Sequence, residues 1–172
     1  MKKLLLLITS IFLLSSTACA NNSKVANSSD QGALTNMKIS IKIASDSGNH
    51  KLTATLEDNS SASAFYELLQ KGPLTVKMTD YGNFEKVGSL GTNLPRNDRQ
   101  ITTQAGDIIL YQGNQITIYY DTNNWNFTRL GRVVSTSGAE NSVTSSTTTI
   151  TQAELKKILG KSDVTAVFEI LK

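Results

Sequence analysis

Cysteine and histidine are almost absent from this 172-residue chain, which contains only Cys19 and His50. No disulfide can form within the chain, so the fold must depend on its hydrophobic core. These two residues provide no cluster of metal ligands, and we predict neither a metal ion nor another cofactor. The motifs G-x-S-x-G, H-E-x-x-H, Walker A and G-x-G-x-x-G are also missing, and the standard hydrolase triads are therefore excluded.

Runs of basic residues are missing as well. Lys2 and Lys3, two of the 17 basic residues, lie in an N-terminal targeting segment, and without them the excess over the 14 acidic residues almost disappears. A protein that binds nucleic acid needs a clustered basic surface. We therefore predict no nucleic-acid partner.

Residues 1–18 are predicted to be a signal peptide, because MKKLLLLITSIFLL has a basic start and an apolar run too short to span a bilayer. Ser16-Thr17-Ala18-Cys19 resembles a bacterial lipobox, although Ser16 stands where leucine is usual. It predicts lipidation of Cys19 and attachment to the cell membrane. Ala18-Cys19-Ala20 also fits ordinary signal cleavage, which would release a soluble secreted or periplasmic protein. We favour the lipoprotein, since the lone cysteine otherwise has no evident use.

The rest of the chain divides into a tether and a domain. Residues 19–36 are polar and rich in small side chains, without hydrophobic periodicity, and are predicted to be a disordered tether. Residues 37–172 contain all the segments with strand or helix patterns. This length suits one modest domain.

Alternating hydrophobic residues indicate strands throughout this domain. In Met37–Ile43, for example, the odd-numbered residues form one apolar face of a half-buried strand. Similar runs, separated by turn residues, predict eight strands at 37–43, 50–56, 74–78, 84–90, 107–112, 115–121, 127–134 and 164–171. Residues 91–105 and 135–149 are predicted to be irregular loops.

Two short helices complete the pattern. Asn59 or Ser60 is predicted to cap a helix that extends to Gln70, and Thr151 with Glu154 forms a capping box before a second helix. Eight strands and two helices indicate an all-β domain. A closed antiparallel barrel would leave the fewest exposed strand edges.

Residues 106–134 hold the densest β-branched and aromatic sequence and the candidate ligand site. Gly113-Asn114 is predicted to form a tight hairpin turn. Arg129 and Arg132 should point to opposite faces of a strand unless the chain is bulged near Gly131. Core packing is one interpretation of this region, and a ligand site is the other. The candidate ligand-binding residues are Gln112, Tyr119, Tyr120, Trp125, Phe127 and Arg129.

The order of several short segments resembles the bacterial cyclophilin-like domain family over residues 37–172. The segments are 74–88, Leu94-Pro95, Gly106-Asp107-Ile108, 111–114 and 128–132. The resemblance implies a closed eight-stranded barrel with two helices. It does not imply catalysis, because the glycine-rich Gln-Gly-Gly-Asp-Phe segment of true cyclophilins is missing and Phe127-Thr128-Arg129 only faintly resembles their Phe-His-Arg.

Three functions are compatible with this sequence. The first is a non-catalytic, membrane-anchored module that binds a peptide or a small molecule. The second is a peptidyl-prolyl isomerase of exported proteins, in which Arg129 would polarise the substrate as the resemblance suggests. The third is a structural or redox-partner domain. We favour the first and nominate no catalytic residue.

Overall fold

The computed structural model describes residues 37–136 and 150–171. The predicted signal peptide, Cys19, the tether and residues 137–149 lie outside these ranges. The elements, in chain order, are β1 (Lys38–Ser45), β2 (Gly48–Leu56), α1 (Ser60–Gln70), β3 (Leu74–Tyr81), β4 (Glu85–Ser89), β5 (Arg99–Thr102), β6 (Asp107–Tyr111), β7 (Gln115–Tyr119), β8 (Asn124–Thr136), α2 (Gln152–Leu159) and β9 (Val164–Ile170).

Eight strands form a closed ring in the order β2-β1-β9-β3-β4-β7-β6-β8, and β8 pairs with β2 to close it. All the pairings are antiparallel. This arrangement confirms the predicted all-β fold with eight strands and two helices. β5 is a ninth strand that pairs with β8 alone, so the prediction of an irregular loop over residues 91–105 was wrong at Arg99–Thr102.

The main core fills the inside of the ring. Ile41 of β1 and Ile118 of β7 have no exposed surface, and helix α1 contributes Phe65, whose ring meets Phe168 edge-on at 5.8 Å. Helix α2 adds Leu155, which is also fully buried. Burial of such side chains typically stabilises a fold by about 1.5–3 kcal/mol each.

Both helices begin where the sequence predicts. Asn59 caps α1: its side chain accepts from the Ala62 N–H at 2.9 Å and donates to the Arg129 carbonyl at 2.9 Å. The second contact ties the start of α1 to β8. Thr151 and Glu154 form the predicted capping box of α2.

A β-bulge lies in β8, beside Gly131. Ile108 of β6 pairs with Gly131, but Ile109 pairs with Arg129, so Leu130 is the extra residue. Gly131 also lies against β2, where an added Cβ would be 2.4 Å from the Thr55 carbonyl oxygen. The bulge changes which β8 side chains share a face.

The hairpin turn between β6 and β7 differs from the prediction by one residue. Gln112 and Gly113 adopt positive φ angles of 52° and 81°, whereas Gly113-Asn114 was the predicted pair. The Asn114 N–H donates to the Tyr111 carbonyl, which closes the turn on Gln112 and Gly113. Gln112 therefore belongs to the turn and not to strand β6.

Candidate functional site

A second, smaller hydrophobic cluster lies on the outer face of the ring. Its buried members are Ile109, Tyr119 and Phe127, and it is separate from the main core. Side chains alternate along a strand, so Ile118 points into the ring while its neighbour Tyr119 points outward. The period of two thus creates this outer cluster on β6, β7 and β8.

A cavity of about 320 Å³ opens beside this cluster. Val87, Gln115 and Asn123 contribute to its lining, together with the acidic residue Glu85. Most of the wall is aromatic, and the aromatic residues are Tyr81, Phe84, Tyr111, Tyr119, Trp125 and Phe127. The volume lies at the lower end of the range for small-molecule sites, which is about 300–1,000 Å³.

The inner rings of the cavity contact one another, whereas the outer rings are exposed. Phe84 and Tyr119 are stacked with their centroids 5.9 Å apart, and Tyr119 lies 5.7 Å from Phe127. Tyr81 and Trp125 are each 60% exposed, and they are the exposed large hydrophobic side chains among the residues that the structure describes. Both border the same cavity.

Glu85 is a buried acidic group in the wall of this cavity. Burial raises the pKa of its carboxyl group, and the nearby Tyr119 and Thr117 hydroxyls offset part of this effect. Its Oε2 atom has no hydrogen-bond partner within the described parts of the chain. Burial and the adjacent Glu85 also raise the pKa of the Tyr119 hydroxyl above its ordinary value of 10.0.

Three of the six candidate ligand-binding residues lie together in this cavity: Tyr119, Trp125 and Phe127. Tyr120 does not join them. It follows Tyr119 in the chain, packs with the main core, and donates its hydroxyl to Asp80 Oδ2 at 2.5 Å. Lys86 Nζ lies 5.9 Å from the Tyr120 ring centroid and 2.8 Å from Asp80 Oδ2, with which it forms an ion pair.

Gln112 and Arg129 are also absent from the cavity lining. Gln112 is exposed in its turn and donates to the Tyr111 hydroxyl at 3.3 Å. Arg129 Nε donates to Glu57 Oε1 at 2.5 Å, and its Nη1 lies 3.8 Å from Asp107 Oδ2. These ion pairs direct the Arg129 guanidinium to neighbouring carboxylates.

The bulge at Leu130 brings Arg129 and Arg132 to one carboxylate. Arg132 Nε donates to Asp107 Oδ1 at 2.7 Å, and the Asp107 side chain is fully buried. Arg99 extends the group by pairing with Glu57 at 3.2 Å. The two arginines of β8 therefore share an anion, as the sequence allowed for a bulged strand, and that anion belongs to the protein itself.

The sequence did not indicate Tyr81, Phe84 or Glu85 as site residues. The pairing of the strands is what would have indicated them, because Glu85 pairs with Tyr81 on one side and with Tyr119 on the other. Only the order of strands in the ring places β4 between β3 and β7. Local periodicity could not provide that order.

Three other structural findings complete the description of possible sites. A second cavity, of about 520 Å³, is lined by residues such as Lys51, Leu69 and Glu169 and has no aromatic wall. Within residues 37–136 and 150–171, no group of three or more His, Cys, Asp or Glu side chains could hold a metal ion. No described helix is long and apolar enough to cross a membrane.

Comparisons with known proteins agree with this fold. The solution structure of the hypothetical protein AF2241 from Archaeoglobus fulgidus matches with a TM-score of 0.51 and 12% sequence identity, covering 79% of this chain and 95% of that one. At this identity, the match indicates a shared fold alone. No curated protein sequence matches significantly. The model of the cyclophilin-like family matches residues 46–153, more than half of the sequence. This chain therefore belongs to the cyclophilin-like family.

Proposed function

We propose that this protein is a binding module that takes a small molecule, or a side chain of a peptide, into the outer aromatic cavity without catalysing a reaction. One observation carries the proposal: Tyr81 and Trp125, each 60% exposed, border the same cavity. Exposed aromatic groups around a concave surface are typical of binding sites. The cavity volume of about 320 Å³ suits one side chain or a small ligand.

The position of Arg129 argues against prolyl isomerisation, which was the second function considered. Catalysis requires groups that stabilise the transition state more strongly than the ground state. The Arg129 guanidinium pairs with Glu57 and Asp107 and is absent from the cavity wall. We therefore expect a proline peptide to isomerise at its uncatalysed rate in an NMR exchange assay. An acceleration that disappears in Arg129→Ala would support the isomerase instead.

Trp125 gives a direct test of binding, because it is the only tryptophan in the chain and borders the cavity. The probes are N-acetyl-Ala-X-Ala-amide peptides in which X covers the standard side chains. We expect at least one of them to shift the fluorescence of Trp125 in a saturable way. If none does so at millimolar concentration, the binding proposal is wrong.

Two tyrosine variants locate the site. Tyr111→Ala removes a ring from the cavity wall, whereas Tyr66→Ala removes a partly buried ring that packs against the main core. We expect Tyr111→Ala to weaken binding by about 10-fold, because contacts of one aromatic ring contribute about 1 kcal/mol or more. Tyr66→Ala should leave the affinity unchanged. Equal losses in both variants would place the binding elsewhere.

Export and membrane attachment are the second part of the proposal. Ser16-Thr17-Ala18-Cys19 and the polar residues that follow it support lipidation of Cys19. In a bacterial host, the full chain should appear in the membrane fraction with a lipid mass on Cys19, and Cys19→Ser should abolish that mass. An unmodified secreted form that begins at Asn21 would contradict this part and leave the binding site untouched.

A further inference from the structure

Glu85 gives the aromatic cavity an unusual charge. Its side chain is only 8% exposed, and it lies between Tyr81 and Tyr119 in the strand register. Oε2 is buried and accepts no hydrogen bond from the described residues. A buried acceptor without a donor costs free energy, and a ligand that donates to this carboxylate from the cavity would offset part of that cost.

Lys86 and Arg129 are paired with other acids. Lys86 follows Glu85 in β4 but points to the opposite face, where its Nζ contacts Asp80 at 2.8 Å. Arg129 pairs with Glu57, as described above. Among the described residues, none forms an ion pair with Glu85. A cationic ligand would provide the missing positive charge.

The aromatic walls would also attract a cation. The face of an aromatic ring carries partial negative charge, and a cation within about 6 Å of the ring centre is stabilised by it. Phe84, Tyr119 and Phe127 form adjacent walls with centroid separations of 5.7–5.9 Å. Tyr81 and Trp125 remain exposed at the border of the cavity, where they are available to cover a bound group.

We propose that this cavity binds an organic cation with N–H donors, either a guanidinium or a primary ammonium group, which donates to the Glu85 carboxylate. The inference rests on the proposed binding function and adds the chemical class of the ligand. A quaternary ammonium group would be attracted by the rings but could not donate a hydrogen bond to the carboxylate. The cation comes either from a free small amine or from an arginine or lysine side chain of a peptide, and the contacts at Glu85 are the same for both.

The main experiment compares charged probes with neutral probes of nearly the same shape. Binding of N-acetyl-arginine methylamide and N-acetyl-citrulline methylamide is followed by Trp125 fluorescence and calorimetry. We expect the arginine compound to bind at least about 10-fold more tightly, because charge-assisted hydrogen bonds are about twice as strong as neutral ones. The lysine compound should likewise bind more tightly than its neutral norleucine counterpart. Tetramethylammonium should bind more weakly than the arginine compound.

Glu85→Gln tests the role of the carboxylate. We expect it to weaken arginine binding by about 10-fold or more and to leave citrulline binding almost unchanged. Glu67→Gln is the matched control. Glu67 is exposed on α1 and lies outside the cavity lining, and its replacement changes the net charge by the same amount. An equal loss of affinity for the arginine compound in both variants would overturn the inference. The comparison of arginine with citrulline on the unaltered protein does not depend on how the variants fold.

The remaining outcomes separate this inference from the proposed function. Equal affinity for arginine and citrulline would overturn the cation proposal. Saturable binding of a neutral side chain, with no binding of either cation, would overturn it while leaving the binding function intact. If no probe binds, both proposals fall. If N-acetyl-Ala-Arg-Ala-amide binds more tightly than the single arginine compound, the peptide source is supported, and equal affinities support a free cation.

Discussion

Replacing Lys86 with methionine tests whether a buried ion pair holds one end of the ring together. Lys86 has no exposed surface, and its Nζ contacts both Asp80 Oδ2 and the Ser162 carbonyl at 2.8 Å. Methionine keeps most of the side-chain length but removes both hydrogen bonds. The change therefore leaves Asp80 with Tyr120 as its remaining side-chain donor.

The cost should lie at the lower end of the range for broken buried pairs. Removing one partner of such a pair typically destabilises a protein by about 3–5 kcal/mol. The Asp80 side chain is 20% exposed and keeps the hydrogen bond from Tyr120, so its carboxylate retains a donor and some contact with solvent. We expect a loss of about 3 kcal/mol in the free energy of unfolding, which corresponds to a decrease in melting temperature of roughly 10 °C.

Lys42→Met provides a matched control for this measurement. Lys42 also lies 2.8 Å from its partner, Glu169, but its side chain is 56% exposed. Exposed pairs typically contribute about 0–1 kcal/mol. Denaturant unfolding of the two variants should therefore give clearly different losses. If Lys86→Met costs no more than Lys42→Met, the buried pair has no special role.

The pH dependence gives a second check on Lys86. Burial raises the pKa of Asp80, but the hydrogen bonds from Lys86 and Tyr120 outweigh it, so this pKa lies below the ordinary value of 3.8. A lowered carboxyl pKa stabilises the fold above the ordinary value, and this stabilisation is lost as the pH falls through the folded-state pKa. The difference in the free energy of unfolding between the wild type and Lys86→Met should therefore become smaller below about pH 4, where Asp80 becomes protonated.

Two further variants probe the ring and the cavity. Gly131→Ala should destabilise the fold by about 1–3 kcal/mol in denaturant unfolding, because the new Cβ would lie 2.4 Å from the Thr55 carbonyl oxygen. An unchanged free energy of unfolding would show that β2 and β8 can move apart at little cost. Glu85→Gln should become more stable relative to the wild type as the pH rises above 4.5, the ordinary pKa of glutamate, since burial raises the pKa of Glu85 and disfavours its ionised form. Thermal unfolding between pH 4 and pH 7 measures this, and parallel curves for the two proteins would contradict it.

The strands and helices of the ring could be predicted because their signals are local. Apolar alternation in Met37–Ile43 and the capping residues Asn59 and Thr151 each lie within a few positions of the element that they define. Strand β5 has no such signal. Its residues Arg99–Thr102 are mostly exposed, and they form a strand only because β8 lies beside them.

The candidate site was only partly predictable for a related reason. Tyr119 and Tyr120 are adjacent in sequence, yet strand alternation sends Tyr119 to the outer cavity and Tyr120 to the main core. The alternation separates the two but does not say which faces outward. Glu85 is 34 positions before Tyr119 in the chain, and the pairing of β4 with β7 brings them together.

The bulge in β8 links the fold to the absence of a free arginine at the cavity. Without the extra residue Leu130, Arg129 and Arg132 would point to opposite faces of β8. With it, both reach Asp107, whose buried carboxylate would otherwise lack cationic partners among the described residues. A charged group held between two partners is costly to withdraw. The bulge in β8 therefore directs Arg129 to the protein's own acids, and Glu85 is the ionisable acid in the cavity wall.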